Sequence, residues 1–256
     1  ADPGLAALAP VAQAASAGAL MCLERLLGAG FDVNARRLDE LTALHLSTDL
    51  KVTRRLLAAG ASVSAVAYGE TPLHLAAANA GPPVIKALLA AGADPNALNR
   101  HETTPLGAAC ALQRVAAVEA LLTQAPAPET TARILAELSQ RGQQKKDLAV
   151  LKALLKALPA DHGPVPGFGF PLHLAAKAGA VEAVDALVAA GAVVDRPDPQ
   201  GRTALWLAVN AATTGFDKRP RHQAVVLALL AAGADPNHPS GGQSPRALAT
   251  ERGRTI

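Results

Sequence analysis

The chain has 256 residues, half of them apolar, which is enough to bury a core in one or two globular domains. Its net charge of +3 is small and its basic residues are scattered, so the sequence does not carry the electrostatic footprint of a nucleic-acid-binding protein. No stretch approaches the roughly 18 uncharged apolar residues that a membrane-spanning helix needs. Ala and Leu dominate the apolar half and only six residues are aromatic, which favours thin layers of helices built from small side chains.

The two cysteines, Cys22 and Cys110, are far apart, and neither belongs to a C-x-x-C pair. This spacing argues against a zinc or redox site. We expect both side chains to fill small gaps in the core and to form no disulfide with each other.

One phrase returns along the chain, as LLGAGFDVNA, LLAAGASVSA, LLAAGADPNA, LVAAGAVVD and LLAAGADPNH. Each copy contains a glycine that can end a helix in the left-handed conformation: Gly30, Gly60, Gly92, Gly191 and Gly233. The step from Gly92 to Gly191 equals three periods of about 33 residues, so two further repeats are predicted between them. Ala125 and Leu158 occupy the glycine position in those two repeats, and their helices are therefore expected to end differently.

The same period appears in the second helix of each repeat. Apolar residues at spacings of three, three and one form one stripe on a helix, and each stripe is expected to pack against the next. The four stripes that show this begin at Pro82, Val115, Leu148 and Val181 and include Ile85, Leu88, Val118, Leu121, Leu151, Leu154, Val184 and Leu187.

The first helix of most repeats begins with a second phrase: TALHLS at Thr42, TPLHLAA at Thr71, TPLGAA at Thr104, FPLHLAA at Phe170 and TALWLAV at Thr203. This pattern resembles the ankyrin-repeat family, whose 33-residue unit contains T-P-L-H-x-A. The resemblance implies an all-α fold, an ankyrin-repeat solenoid of stacked helix-turn-helix units linked by β-turn fingers. Each Thr is expected to cap its helix, with Pro at the first helical position where no N–H is needed.

We predict a single ankyrin-repeat domain over residues 1–256. It divides into eight units at about 5–34, 35–64, 65–97, 98–125, 126–158, 159–195, 196–237 and 238–256. The second unit lacks three residues between its helices, so its junction at residues 48–51 must be tight. The fifth has no T-P-L-H, and the seventh carries an insertion around residues 213–221.

His45, His74 and His173 all stand at the T-P-L-H position, where the resemblance implies local hydrogen bonds that brace the turn between repeats. His101, His162, His222 and His238 are predicted in loops, with no Cys or carboxylate at ligand spacing. The glycines of SGGQS, residues 240–244, are assigned to the last finger. The sequence thus predicts no catalytic residue, no metal site and no cofactor.

A solenoid exposes its finger tips and the outer side of its first helices on a concave face, and such families bind partners there. Aromatic and Arg side chains are frequent interface anchors, so Tyr68 and Phe168 stand out in a chain with few aromatics. Trp206, at a T-P-L-H histidine position, is expected to pack. The candidate partner-binding residues are Arg37, Glu40, Tyr68, Glu70, Arg100, His101, Glu102, Phe168, Gln200 and Arg202.

The predicted function is binding of another protein, by a monomer that neither binds nucleic acid nor inserts into a membrane. The Ala-rich composition suggests a bacterial effector, inhibitor or immunity protein. One alternative is a recognition domain from a larger enzyme or scaffold, and another is a second docking point at Phe216, Lys218, Arg219 and Arg221 in the insertion. Ala1 fits a processed periplasmic or secreted terminus and an excised cytoplasmic domain equally well.

Overall fold

The computed structural model describes residues 9–124, 127–141, 145–157, 170–214, 219–240 and 242–252. These residues form helices joined by short turns, and among them the only β-type pairing is one isolated bridge between Ala67 and Glu70. The helices are α1 (Pro10–Ser16), α2 (Leu20–Gly28), α3 (Ala43–Leu46), α4 (Leu50–Ala58), α5 (Pro72–Asn79), α6 (Pro82–Ala90), α7 (Pro105–Ala111), α8 (Val115–Leu122), α9 (Pro128–Arg141), α10 (Lys145–Ala157), α11 (Pro171–Ala178), α12 (Val181–Ala189), α13 (Ala204–Thr214), α14 (Arg219–Ala231) and α15 (Pro245–Glu251).

The chain forms two compact units, residues 1–127 and 128–256. In the first unit, the first helices of successive repeats, α1, α3, α5 and α7, pack in order, and the second helices, α2, α4, α6 and α8, form a parallel layer behind them. In the second unit, α9, α11, α13 and α15 make the first layer, and α10, α12 and α14 make the second. The predicted all-α stack of helix-turn-helix repeats is confirmed, whereas the assignment of residues 1–256 to a single domain stays a prediction.

The predicted apolar stripes form the core between the helices. The two central positions of every stripe are almost completely buried, as in Ile85 and Leu88 of α6 and Val118 and Leu121 of α8. The corresponding residues of α10 and α12 are buried in the same way. Each second helix therefore presents the same apolar face to its neighbours.

The five closing glycines all adopt the left-handed conformation, with φ between 83° at Gly30 and 92° at Gly191. A Cβ at any of these five would meet no atom within 4 Å, so the requirement for glycine is conformational and not steric. Ala125 and Leu158, which replace this glycine, lie outside the described residues. The helix that precedes Ala125 ends at Leu122.

The second repeat closes its short junction by reducing its first helix to a single turn, Ala43–Leu46. Two hydroxyls fill the junction: Ser47 and Thr53 are buried with their oxygens 2.8 Å apart. The carboxylate of Asp49 then caps α4 by accepting hydrogen bonds from the backbone N–H groups of Lys51 and Val52. The predicted tight junction at residues 48–51 is confirmed.

In the seventh repeat, the described residues of the insertion extend the two flanking helices, so that α13 continues to Thr214 and α14 begins at Arg219. His222 consequently lies in α14 and is buried, and the prediction that placed it in a loop is wrong. Its Nε2 lies 3.0 Å from the Lys177 carbonyl, and its ring covers Gly179. The extra helical turn carries this imidazole over the end of α11.

The prediction for the cysteines holds for Cys110 and is wrong for Cys22. Cys110 is buried in α7, whereas Cys22 is exposed on α2, and neither is in a disulfide. The difference arises because α2 belongs to the first repeat of the stack and buries only Leu23 among its residues.

Replacing Leu121 by Ala should lower the free energy of unfolding by about 2–5 kcal/mol, because it leaves a cavity between helices. Leu112→Ala is the matched control: this leucine belongs to the same repeat but is exposed, so its loss should cost well under 1 kcal/mol. Urea unfolding followed by circular dichroism measures both. Equal effects of the two variants would contradict the assignment of the stripe to the core.

Candidate partner-binding surface

Two histidines connect the start of a first helix to the finger of the next repeat. Thr42 and His45 form a reciprocal cap on α3: the backbone N–H of Thr42 donates to His45 Nδ1 at 3.2 Å, and the Thr42 hydroxyl lies 2.8 Å from the same nitrogen. Because Nδ1 accepts, the ring proton lies on Nε2, which donates to the Glu70 carbonyl at 3.2 Å. His74 repeats this arrangement with Thr71 and the Thr103 carbonyl.

His173 keeps only half of this arrangement. Its Nε2 donates to the Arg202 carbonyl at 3.0 Å, but Phe170 stands where the repeats of His45 and His74 have Thr, and the buried Nδ1 has no hydrogen-bond partner. The Phe170 ring packs against the imidazole at a centroid distance of 5.3 Å. The structural function predicted for the three T-P-L-H histidines is confirmed.

Burial lowers the pKa of His45 below its ordinary value, and the nearby positive charge of Arg36 lowers it further. Burial also lowers the pKa of His173. Both histidines are therefore neutral braces of a finger.

The fingers of the first unit are tight hairpin turns, here called finger 1 (residues 36–41), finger 2 (66–70) and finger 3 (98–103). In fingers 1 and 3 the tip has three residues, closed by hydrogen bonds from Arg37 N–H to the Leu41 carbonyl and from Asn99 N–H to the Thr103 carbonyl. The last tip residue, Glu40 or Glu102, has a positive φ of 58° or 54°. This is the usual geometry of a three-residue hairpin loop.

Finger 2 is one residue shorter and turns through Tyr68 and Gly69, at φ values of 52° and 82°. Two successive positive φ values define the type I′ turn, whose first position favours Asn, Asp or Gly. A tyrosine there is held in a conformation that costs roughly 1–2 kcal/mol. Gly69 is required for a second reason, since a Cβ there would lie 2.9 Å from the Cβ and backbone N of Arg100 in finger 3.

Hydrogen bonds fix the three fingers to one another. The Arg36 guanidinium donates to the Val66 carbonyl at 2.8 Å and to the Glu40 carboxylate at 3.3 Å. The Asn99 side chain donates to the Glu70 carboxylate at 2.8 Å. The fingers of the first unit thus form one connected surface.

The fingers of this surface expose large apolar side chains, although turns are usually polar. Leu38 is 86% exposed, Tyr68 56% and Leu98 61%, and Val66 beside them is also exposed. Leu38 and Tyr68 begin the tips of fingers 1 and 2, where finger 3 has Arg100. Leu38, Val66 and Leu98 are not among the residues predicted from the sequence; the signal that could have found them is an apolar residue inside a predicted turn.

The structure brings together seven of the ten predicted partner-binding residues, all in fingers 1–3. Glu40, Tyr68, Arg100, His101 and Glu102 are exposed, and Arg37 and Glu70 are half-buried. Within the same surface, Arg37 pairs with Asp39 at 3.1 Å, Arg100 donates to His101 at 3.1 Å, and Glu70 accepts from Asn99.

Gln200 and Arg202 belong to a finger of the second unit, residues 196–202, and Phe168 lies outside the described residues. Arg202 makes its polar side-chain contacts within its own finger: its guanidinium pairs with the Asp198 carboxylate at 2.7 Å and donates to the Gln200 side chain at 2.9 Å. Burial acts to raise the pKa of Asp198, but the hydrogen bonds from Arg202 outweigh it and the pKa is lowered. The Arg202 guanidinium also covers the Trp206 ring at 5.9 Å, consistent with the packing function predicted for Trp206.

In the described part of the chain, no group of three or more His, Cys, Asp or Glu residues is placed to hold a metal ion. Among the same residues, no helix is long and apolar enough to span a bilayer. Phe216 and Lys218, proposed as a second docking point, lie outside the described residues.

A family model described as "Ankyrin repeats (3 copies)" matches residues 11–99 and 138–240, which together make up well over half of the chain. This chain belongs to the ankyrin-repeat family. The two matched segments contain the three T-P-L-H histidines, fingers 1 and 2 and the finger of residues 196–202. Domains of this family generally serve as protein-interaction modules.

Two curated relatives share part of this ankyrin-repeat chain. The nuclear factor NF-kappa-B p105 subunit of Gallus gallus is 38% identical over 98 residues, which cover 36% of this chain and 10% of the relative. The ankyrin repeat and SOCS box protein 5 of Mus musculus is 36% identical over 118 residues, which cover 45% of this chain and 35% of the relative. The chain thus matches about a tenth and about a third of the lengths of these two proteins.

Solved ankyrin-repeat domains share the fold over most of the chain. The human ASB11 ankyrin repeat domain superposes with a TM-score of 0.61 at 26% identity, covering 89% of this chain and 99% of that domain. The ankyrin repeat domain of Bcl-3, a member of the IkappaB family, superposes with a TM-score of 0.51 at 23% identity, covering 93% and 92%, and shows the fold alone. The relatives named here with a species are from chicken, mouse and human, so the predicted bacterial origin finds no support among them.

The lowered pKa values of His45 and His173 make stability depend on pH. In the unfolded chain both histidines have the ordinary pKa of 6.5 and become protonated below it, whereas in the folded chain they become protonated only at lower pH. Their contribution to the free energy of unfolding is therefore fully present above pH 6.5 and decreases as the pH falls toward the lowered pKa values. His45→Gln should flatten part of this decrease, because Gln can retain the cap but does not titrate. Urea midpoints at pH 8, 6.5 and 5 test this; an unchanged pH profile in the variant would contradict it.

Tyr68→Asn should raise the free energy of unfolding by about 0.5–1 kcal/mol, because Asn tolerates positive φ better than Tyr. Tyr68→Ala should change it little, since Ala meets the same backbone penalty and the tyrosine ring is exposed. Thermal unfolding of the two variants measures the difference. If the Asn variant is no more stable than the Ala variant, finger 2 does not hold Tyr68 in the left-handed conformation.

Proposed function

We propose that this chain binds another protein through fingers 1–3, with the exposed apolar tips as its anchors. The observation that carries the proposal is the exposure of Leu38, Tyr68 and Leu98 on turns held in place by neighbouring repeats. A surface that is already ordered loses little conformational entropy on binding. Exposed apolar residues in such a setting are characteristic of interaction sites.

The charged residues around the tips give the surface its selectivity. Fingers 1 and 3 carry charges of both signs, on Arg37, Glu40, Arg100 and Glu102, with His101 beside them. Rim charges of this kind favour a partner of complementary pattern and disfavour others. Tyr68 lies between them on finger 2 and is the side chain expected to enter a pocket on the partner.

The finger of residues 196–202 is proposed as an additional contact through Gln200, with Arg202 holding Asp198 and Gln200 in place. Phe168 remains a predicted contact on sequence grounds. We propose that the chain acts as a monomer, by occluding its partner, as an effector, inhibitor or immunity-type protein does, and that it uses neither a catalytic residue nor a cofactor.

A second candidate is a recognition domain within a longer protein. The match to only a tenth of the p105 subunit and a third of the SOCS box protein favours it, because ankyrin repeats there form part of a larger chain. Both candidates use the same finger surface, and the length of the gene product distinguishes them.

Tyr68→Ala and Leu38→Ala should each weaken partner binding by about 1–4 kcal/mol, the range of interface anchors. The partner is first isolated from the native organism by affinity capture and mass spectrometry, and its affinity for each variant is then measured by calorimetry. Leu112→Ala removes an equally accessible leucine away from the fingers and is the control. Normal binding by both finger variants would exclude fingers 1–3 as the main contact.

A further inference from the structure

A groove lies between the second helices of the second and third repeats, on the side of the first unit that the fingers do not use. It is open to solvent and has a volume of about 590 Å³ between α4 and α6. Its lining is mainly apolar, with Leu57 on α4 and Pro83, Ala87 and Ala90 on α6. Ala87 and Ala90 leave the groove open, because larger side chains at these positions would contact the side chains of α4.

Two cations border this apolar lining. Arg54 and Lys86 both line the groove, both are exposed, and neither forms an ion pair with a described residue. They stand at the same repeat position, six residues before Gly60 and Gly92. Lys51 and Arg55 add two further positive charges on α4, and the residues of α4 and α6 include no carboxylate. Asp49, just before α4, is occupied in capping that helix.

The positive patch ends within one repeat on either side. At the same repeat position α2 has Glu24, beside Arg25, and α8 has Glu119, so neither helix carries an excess of positive charge. A nucleic-acid backbone needs a continuous track of cations, and the basic clusters that bind anionic membranes lie beside a membrane-spanning helix or on an amphipathic helix. Four cations on two packed helices, two of which line an apolar groove, instead fit a short segment of protein.

We propose that the α4–α6 groove, lined by Arg54, Lys86, Leu57 and Ala90, is a second docking site for an acidic peptide segment. The segment places apolar side chains in the groove and one carboxylate near each cation. Helices packed side by side are about 8–10 Å apart, and two residues seven positions apart on a helix are separated by about 10 Å along its axis. An acidic amphipathic helix with carboxylates at that spacing and leucines between them therefore fits the charges and the lining.

Pro82 and Pro83 make one wall of the groove rigid before any ligand arrives. They form the first turn of α6, where proline needs no N–H partner and fixes the backbone. A rigid wall reduces the entropy lost on binding. Docking at this site is independent of the fingers, so the chain can hold two partners, or two parts of one partner, at the same time.

The test uses the full chain and a fluorescein-labelled synthetic helical peptide with two Glu seven residues apart and two Leu between them on the same face. Fluorescence anisotropy should give a Kd in the micromolar range. Arg54→Glu and Lys86→Glu should each weaken binding at least about tenfold, and Ala90→Trp, which fills the groove, should do the same without changing charge. Circular dichroism and urea unfolding establish that these surface variants are folded.

Matched controls separate this site from simple attraction between charges and from the fingers. Lys152→Glu reverses an exposed cation at the same repeat position in α10, and it should leave peptide affinity unchanged. Tyr68→Ala should also leave it unchanged, so that failure of the groove is distinguishable from failure of the proposed function. A peptide with Ser in place of Leu, and one with Gln in place of Glu, should each bind at least about tenfold more weakly.

Three results would overturn the proposal. The first is the absence of peptide binding. The second is that the Ser peptide binds as tightly as the Leu peptide, or that the Ala90→Trp variant binds the Leu peptide as tightly as the unmodified chain does. The third is tighter binding of phosphatidylglycerol vesicles or a short DNA duplex that Arg54→Glu abolishes, which would reassign the cations to an anionic membrane or to nucleic acid.

Discussion

The hydrogen bonds of the T-P-L-H histidines His45 and His74 couple their repeats to the next repeat of the chain. One imidazole nitrogen belongs to the cap that starts a helix, and the other binds the backbone of the following finger. Because one neutral ring makes both contacts, the start of the helix and the position of the finger are set together. The ring is also buried, so protonation at Nδ1 would remove the acceptor that the cap needs and add a charge that burial disfavours.

This coupling explains why the finger tips can differ so widely. The backbone of fingers 2 and 3 is held from behind by His45 and His74, and from the side by Arg36 and Asn99. The tip side chains then contribute little to stability and are available for partner contacts. Tyr68 is the extreme case, since the shorter turn of finger 2 places it at positive φ and aims an exposed ring outward from a strained backbone.

The first unit thus offers two different surfaces. The fingers present apolar tips among charges of both signs, whereas the groove between α4 and α6 presents an apolar lining beside cations alone. The difference follows from the architecture, because fingers and second helices lie on separate sides of each repeat. Substitutions on one side leave the other intact, and this allows two interactions to be adjusted independently.

Local signals in the sequence determined most of the fold. A closing glycine, a capping Thr and an apolar stripe each depend on interactions within a few residues or on a face that every repeat shares, and the structure confirms them at Gly60, Thr71 and Leu121. The same signals placed Tyr68, Arg100 and Glu102 on fingers. They did not single out Leu38 or Leu98, since composition alone does not show whether an apolar residue in a turn folds back or faces solvent.

Only the tertiary structure decided the properties that depend on neighbouring repeats. Cys22 is exposed because α2 lies at the start of the stack, and His222 is buried because the extended α14 covers Gly179. The groove exists because the alanines of α6 face Arg54 and Leu57 across two repeats. The sequence determines the structure of each repeat, because its caps and turns depend on hydrogen bonds between residues close together in the chain. The exposure of side chains and the presence of a groove depend on the neighbouring repeats that pack against it.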